Sequence, residues 1–591
     1  MTSADASTSP TPPARGGRGA AGAGASPLPR AATQPLRFLV LLAVCAACLA
    51  LFFRGQIADG FTLLLGDRHD GVIALAVMEH WVNVLHGRAA WNLTNYFHPV
   101  PGTLGYNDGY LAFGLLMAGF RALGADPFLA GELVNMALRA IGFFGFFALG
   151  RRLLGLSFGW ALLGAALFTL SNNLAIRGSH AQLFSVSLVP VLAVLAHGAL
   201  SALMAGRRGA LLAWGGGFLA WYALMLMTGY YMAWYSAFLG AALLPAWLVV
   251  AGSARRQRLW SALRVTWMPL LALAVLAVVL NLPFLALYLP KARETGMHDY
   301  AGMVAQYTLS PLDLIHVGER NLVWGWLVAA LNDTFRPGLP FWTEQMTGLP
   351  PLLLLAFAAA LGWLWRGGPT GSDRLAFLRA LAIATVLTWA LTLRIGNVSP
   401  WWLVYEFVPG AKAARVVARY QVFIVVPVIG LALAWLAART ARLAVPVLGL
   451  LAALLVAEEL NSYSPRFLDR PLERARLEAV PPPPSECHAF FVTAARTESR
   501  FGEEVANVYN HNTEAMLIAE VLGIPTINGI STFNPPHWAG SFPPRPEYFD
   551  AIRRYAAAYG LTGGLCGLDL QRMRWEPTPL QLHGASATQR S

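Results

Sequence analysis

Between Leu63 and Gly87 the chain reads LLLGDRHDGVIALAVMEHWVNVLHG and gathers Asp67, Arg68, His69, Asp70, Glu79, His80 and His86. Carboxylates at this density can take the proton of an attacking hydroxyl as general bases. They can also hold a divalent metal, although no ligand set in the sequence requires one. Three other polar segments carry complementary groups. LSNNLAIRGSHAQLFS supplies Asn172, Asn173, Arg177, His180 and Gln182; LPKARETGMHDY supplies Lys291, Arg293, Glu294, His298 and Asp299; VPGAKAARVVARYQ supplies Lys412, Arg415 and Arg419. Such cations are natural phosphate ligands, and arginine can engage two phosphate oxygens at once.

The elements that must position these groups are membrane helices. Of the 591 residues, 56% are hydrophobic and only 13% charged, against about 25% charged in soluble domains. Apolar runs long enough to cross a bilayer recur at 36–53, 128–150, 153–171, 182–205, 209–228, 231–252, 265–289, 349–365, 375–394, 420–438 and 443–460, about eleven helices. The arginine clusters at Arg30 and Arg37, Arg151 and Arg152, Arg207 and Arg208, Arg255, Arg256 and Arg258, Arg366 and Arg374, and Arg439 and Arg442 all fall on one side if these helices alternate. The positive-inside bias makes that side, and the N-terminus, cytoplasmic. The net charge of +12 is then read as cytoplasmic loops rather than as a nucleic-acid surface. The polar segments 54–127, 171–181, 290–348 and 395–419 and the C-terminal tail fall outside. Residues 105–124 and 71–86 read as interfacial helices along the outer surface, since counting either as a span would invert every later loop.

The candidate groups therefore share the outer membrane boundary. Each has a plainer reading. Asp67 fits an N-cap and Asp70 the third position of a helix starting near Arg68, with Glu79 and His80 on a solvated face. Lys412, Arg415 and Arg419 fit side chains that snorkel at a helix start. Three basic segments on the face opposite the cytoplasmic arginines weigh toward an anion site. Tyr230, Tyr231, Trp234 and Tyr235 in TGYYMAWYS read as an interfacial aromatic belt or as the lining of a lipid groove.

The two ends differ from the middle. Residues 1–35 are rich in Ala, Gly, Pro and Ser and read as a disordered cytoplasmic lead without a good cleavage site, so the first apolar run is expected to be retained. The tail, 461–591, passes Pro481–Pro484, a stiff linker, and then reads as a small α/β module outside the membrane. Its Cys487 and Cys566 could pair as a disulfide there; Cys45 and Cys48 lie in the first apolar run as packing residues. His511, Asn528 and His537 are read as structural polar residues rather than a second centre. NLT at Asn92 matches a glycosylation acceptor, with nothing in the composition to suggest its use.

The order of parts resembles the GT-C superfamily of integral membrane glycosyltransferases. A first helix is followed by an acidic outer loop with interfacial helices, and then by LVNMALRAIGFFGFFALGRRLLGLSFGWALLGAALFTLSNN, a helix ending in Gly-Arg-Arg and a helix of small residues. The segments SHAQL and VPGAKAARVVARY are similar to the bacterial YfhO-like membrane proteins. The resemblance covers residues 36–460. It implies a bacterial inner-membrane enzyme that transfers a sugar, with inversion, from a polyprenyl-phosphate donor to a glycan, lipid or protein acceptor of the envelope. It implies Asp70 as base, with Asp67 second, because the family's Asp-Glu pattern reads GDRHD here. Glu79 or Asp108 would be the assisting acid, His180 and Gln182 would contact sugar or phosphate, and Arg415 and Arg419 would hold the lipid phosphate. The rival class is a transporter or flippase of an anionic lipid. Transporters usually carry internal repeats and mid-membrane ionisable groups. No convincing repeat is present, and Glu132 and Arg139, which could pair with neighbouring helices, are the main ionisable groups inside a span.

Overall fold

The computed structural model describes residues 33–339, 343–366, 372–440, 443–496, 503–538, 542–543, 545–561 and 563–577. Arg30, Arg442 and nearly all of the lead lie outside them. Each of the eleven apolar runs is a helix, from Thr33–Phe52 to Val445–Ala457. Among the described residues, eight are long and apolar enough to cross a membrane. Pro351–Arg366 and Val445–Ala457 are shorter, at 16 and 13 residues, and Asp373–Ala390 is not among the eight. The protein is a helical polytopic membrane protein.

Helix Pro127–Arg152 shows how the sequence sets these elements. Asp126 caps it, accepting hydrogen bonds from the backbone N–H of Phe128 and Leu129 at 3.1 Å, and Pro127 occupies the first turn, where no N–H is needed. Its last turn ends in Arg151-Arg152. Gly150 lets it approach Ala161 of helix Phe158–Leu170, the small-residue packing expected where lipid offers no hydrophobic drive. Tyr420–Arg439 is the central helix, buried along nearly its whole length, whereas Trp267–Thr295 exposes Val275, Val278, Val279 and Leu282 outward.

Glu132 and Arg139, the two ionisable groups in the interior of helix Pro127–Arg152, make no ion pair with each other. Buried Arg139 donates to the carbonyls of Phe168 and Thr169 and to Ser187 Oγ, satisfying carbonyls that the end of helix Phe158–Leu170 leaves open. Glu132 accepts from Gln56 Nε2 at 2.8 Å and from the backbone N–H of Leu65 at 3.2 Å. Both serve neighbouring segments.

The acidic loop leads into helix Asp70–Leu85, and a 3-10 turn at Thr103–Tyr106 precedes helix Leu111–Ala122. The solvated face of the plainer reading is not there: Glu79 and His80 are 3% and 0% exposed, and Asn83, one turn on, is 5% exposed. Arg121 pairs with Glu79 at 3.1 Å, and the tail helix Glu503–Leu522 covers the rest. Glu520 of that helix accepts from Asn83 Nδ2 at 2.9 Å and from the backbone N–H of Asn95 at 2.8 Å. A polar stripe that reads as water-facing is here an interface with a second polar helix.

The tail forms a three-stranded sheet. Ala489–Ala494 runs parallel to Leu565–Asp569, which pairs antiparallel with Arg574–Glu576. Helices Glu503–Leu522 and Pro546–Ala558 accompany it, and Cys487 and Cys566 are joined as a disulfide. Phe490, Val492, Ile518 and Leu568 lie in its core. Before entering the sheet the chain returns to the acidic loop, where Leu63 and Leu64 pair with Asp469 and Leu468.

Removing the Glu520 carboxylate leaves the buried donors of Asn83 and Asn95 without their acceptor. Glu520→Ala is expected to lower stability by roughly 1–3 kcal/mol, the cost of leaving buried donors without an acceptor, read as a fall in the thermal midpoint of the detergent-solubilised protein.

Candidate functional site

Three polar segments meet at one carboxylate, Glu344, in the loop ahead of helix Pro351–Arg366, and a fourth joins them through His180. Arg177, which ends the short helix Asn172–Ile176, reaches it through Nη2 at 2.5 Å. Arg419, the last residue of the 3-10 turn Val417–Arg419 that opens the central helix, reaches it through Nη2 at 3.3 Å. His180, just before the 3-10 helix Ala181–Leu188, places Nε2 at 3.3 Å. The same His180 nitrogen lies 3.5 Å from Asp70 Oδ2. Burial opposes the charge on Glu344, but the guanidiniums of Arg177 and Arg419, with His180, overcome it and hold the carboxyl well below the ordinary carboxylate range.

Asp70 is the first residue of helix Asp70–Leu85, one place after its N-cap, His69, rather than at the third position. The helix N-terminus favours its negative charge. Its side chain is 44% exposed. Asp67 is spent differently: it is 7% exposed and accepts the backbone N–H of His69 at 2.9 Å, closing the turn before the helix.

The basic loop 408–419 is held from the side by the TGYYMAWYS aromatics. Tyr230 Oη donates to the Gly410 carbonyl at 2.8 Å, Trp234 Nε1 to Pro409 at 2.9 Å, and Tyr235 Oη to Val416 at 3.4 Å; Tyr231 Oη accepts the N–H of Val416 at 3.1 Å. Gly410 has φ +83°, and an added Cβ would meet the Tyr230 hydroxyl, so glycine is required. The Arg419 guanidinium lies 5.5 Å from the Tyr231 ring centre. Asp108 accepts the N–H of Tyr230 at 3.0 Å; burial pushes its carboxyl up, with that bond and Arg419 pulling it back. Gln182 accepts from Tyr110 Oη at 3.1 Å.

Of the residues that the sequence singles out, the structure brings together Asp70, Arg177, His180 and Arg419, with Asp108 and Gln182 tied to the surrounding frame. Arg415 lies 5.8 Å from the Tyr307 ring centre and, among the described residues, forms no ion pair. Other candidates are committed elsewhere. Glu79 pairs with Arg121, Lys412 with Glu406 at 2.9 Å, and Lys291 with Tyr106 Oη and Glu294 at 2.8 and 3.0 Å, while Arg293 is exposed. Sequence reasoning misses Glu344 because a lone acid in a loop has no local pattern. It also misses Tyr509, whose ring meets that of His69 edge-on at 5.1 Å, because its helix lies in the tail. Among the described residues no group of three His, Cys, Asp or Glu side chains is arranged to hold a metal. Glu344 is already occupied by cations, so these residues do not fit one.

No protein-family model and no curated protein matches the chain. Solved structures to which it is similar include the following three. The first is the arabinofuranosyltransferase AftD from Mycobacteria, with 15% identity, 84% of this chain, 32% of that chain and TM-score 0.46. The second is the Archaeoglobus fulgidus oligosaccharyltransferase tethered with an acceptor peptide, with 14% identity, 83% of this chain, 64% of that chain and TM-score 0.45. The third is ArnT from Cupriavidus metallidurans bound to undecaprenyl phosphate, with 16% identity, 84% of this chain, 86% of that chain and TM-score 0.32. The chain spans about a third of the first and under two thirds of the second.

A carboxyl held below its unfolded value contributes stability that is complete above about pH 4.5 and is lost as pH falls through the folded value. Glu344→Gln is therefore expected to cost roughly 3–5 kcal/mol at neutral pH, as when one partner of a buried pair is removed. The gap from wild type narrows as pH falls below about 4.5, measured as thermal midpoints across a pH series.

Proposed function

We propose that the protein is an inverting glycosyltransferase that moves a sugar from a polyprenyl-phosphate donor to an acceptor at the outer face of the membrane. The observation that carries this reading is an accessible carboxylate, Asp70, 3.5 Å from His180 on the edge of a buried guanidinium cluster. A base and an anion site side by side are what displacement of a phosphate by a hydroxyl requires. The sequence resemblance to the GT-C enzymes points the same way.

In the proposed reaction the acceptor hydroxyl gives its proton to Asp70 and its oxygen attacks the anomeric carbon. The bond from that carbon to the phosphate oxygen breaks on the opposite face, and the lipid phosphate leaves with the electron pair. The guanidiniums divide the work of holding that charge. Arg177 and Arg419 are half-neutralised by Glu344, yet Arg177 Nε is buried without a protein partner, a donor that an anionic ligand would satisfy. Arg415, with no ion pair among the described residues, is assigned the leaving phosphate in this reading. General-base assistance is worth roughly 10²–10⁴-fold, and fixed donors aimed at developing charge often contribute more than that. Sugar, acceptor and the lipid chain beyond its phosphate are proposed only as classes: hexose or pentose, and a glycan, lipid or protein of the envelope.

The test is release of polyprenyl phosphate, with and without acceptor extract, from a panel of radiolabelled polyprenyl-phosphate hexoses and pentoses in nanodiscs. Asp70→Asn is expected to lower turnover by about 10²–10⁴-fold. Asp67→Asn, whose amide oxygen still accepts from His69, is expected to stay within about tenfold. Arg415→Ala is expected to raise the donor KM. Saturable donor binding without turnover, unchanged in Asp70→Asn, would replace the enzyme by a carrier of anionic lipid.

A further inference from the structure

The segment that delivers Asp70 has no regular structure of its own beyond Leu63 and Leu64, yet each of the five residues after them is fastened. Leu65 donates to Glu132; Gly66 bonds through both backbone groups to the returning chain at Pro465 and Phe467; Asp67 closes its own turn. The last two, Arg68 and His69, are held by the tail helix Glu503–Leu522. Thr513 Oγ1 donates to the Arg68 carbonyl at 3.0 Å. Glu514 pairs with the Arg68 guanidinium at 3.0 Å. Asn510 Oδ1 lies 3.3 Å from His69 Nε2, and Tyr509 packs on the same ring. Asn510 and Thr513 are each 1% exposed, so these bonds are not exchanged freely for water.

A main-chain carbonyl two residues before a reactive side chain, and the side chain of the N-cap residue just before it, are groups that set where that side chain points. We propose that Asn510 and Thr513 are positioning residues for Asp70, so that the extracytoplasmic tail is a working part of the site. The inference rests on Asp70 being the base. The tail helix fixes the first turn of helix Asp70–Leu85 against Asp70's own exposure, and a displacement of about 1 Å at a reacting group can cost about 100-fold in rate.

The test uses the full-length protein in nanodiscs with radiolabelled undecaprenyl-phosphate hexose as donor. Thr513→Val keeps the shape and removes the bond; Asn510→Ala removes the other; Thr513→Ser restores the hydroxyl. Hydrogen exchange of the peptide covering 66–72 reads the loop without reference to chemistry. The expected result is faster exchange in that peptide for Thr513→Val and Asn510→Ala, with kcat down about 10- to 100-fold, donor KM within about twofold and recovery in Thr513→Ser. Unchanged exchange and unchanged kcat in both variants, with Asp70→Asn inactive, would overturn the positioning role and leave the base in place. An active Asp70→Asn would overturn the base reading itself, whatever the exchange shows. If a variant does not accumulate, Thr513→Ser alone against wild type keeps the comparison: its kcat and exchange must match wild type, and a loss as large as that expected for Thr513→Val would overturn the proposal.

Discussion

One end of the helix bundle depends on a single carboxylate facing two permanent cations and a histidine. Arg177 and Arg419 are 6% and 4% exposed, and unpaired guanidiniums at that depth would be costly to desolvate and would repel one another. Glu344 brings them together, and with them the segments that carry them: the end of one short helix, the start of the central helix and the loop before Pro351–Arg366. The compensation is incomplete. One carboxylate faces two guanidiniums, and a buried N–H of Arg177 is left over. Full neutralisation would fold equally well and would have no reason to attract an anion. Partial neutralisation gives a cluster that folds empty and that, in the proposed reaction, a negatively charged ligand would complete.

The same economy runs through the surrounding loops. Irregular backbone near a membrane must find partners for its N–H and C=O groups from elsewhere in the chain. The basic loop finds them in the hydroxyl and indole groups of Tyr230, Tyr231, Trp234 and Tyr235, and the acidic loop finds them in Glu132 and Thr513. Each loop that carries a candidate ligand is thus fixed by side chains from a helix remote in sequence. The rigidity that chemistry needs comes from the supporting helices.

What is legible in the sequence follows from the range of each signal. Hydrophobic length and arginine placement are local, and every apolar run is a helix in the structure. Only the shortest fall below the length for a span: thirteen residues of helix rise about 20 Å, short of an ~30 Å core. The polar residues Asp70, Arg177, His180 and Arg419 stand out because they interrupt apolar sequence at one boundary. Glu344 does not, since its meaning lies wholly in partners far along the chain. Glu79, His80 and Asn83 mislead for a related reason: an amphipathic stripe specifies a polar neighbour without saying whether that neighbour is water or Glu520. The aromatic segment has a belt-like composition, but the atoms that matter are backbone carbonyls 175 to 181 residues away. The cysteine pair is left open by spacing alone and is closed by the parallel register that sets Phe490 opposite Cys566 and brings Cys487 alongside.

Asp67 and Asp70 show why composition and spacing cannot choose between two acids three residues apart. A general base needs a lone pair that is not already committed and a path for the hydroxyl that will use it. Asp67 is the poorer candidate: it is buried, and one of its oxygens holds the N–H of His69. That bond is still indispensable, because it shapes the turn that starts the next helix and thereby aims Asp70. Asp70 meets both conditions, with its side chain part-exposed and its closest ionic neighbour, His180, at a loose 3.5 Å. One acid builds the turn and the other is left open by it, a division of labour that arises from burial and backbone geometry and that the string GDRHD carries only implicitly.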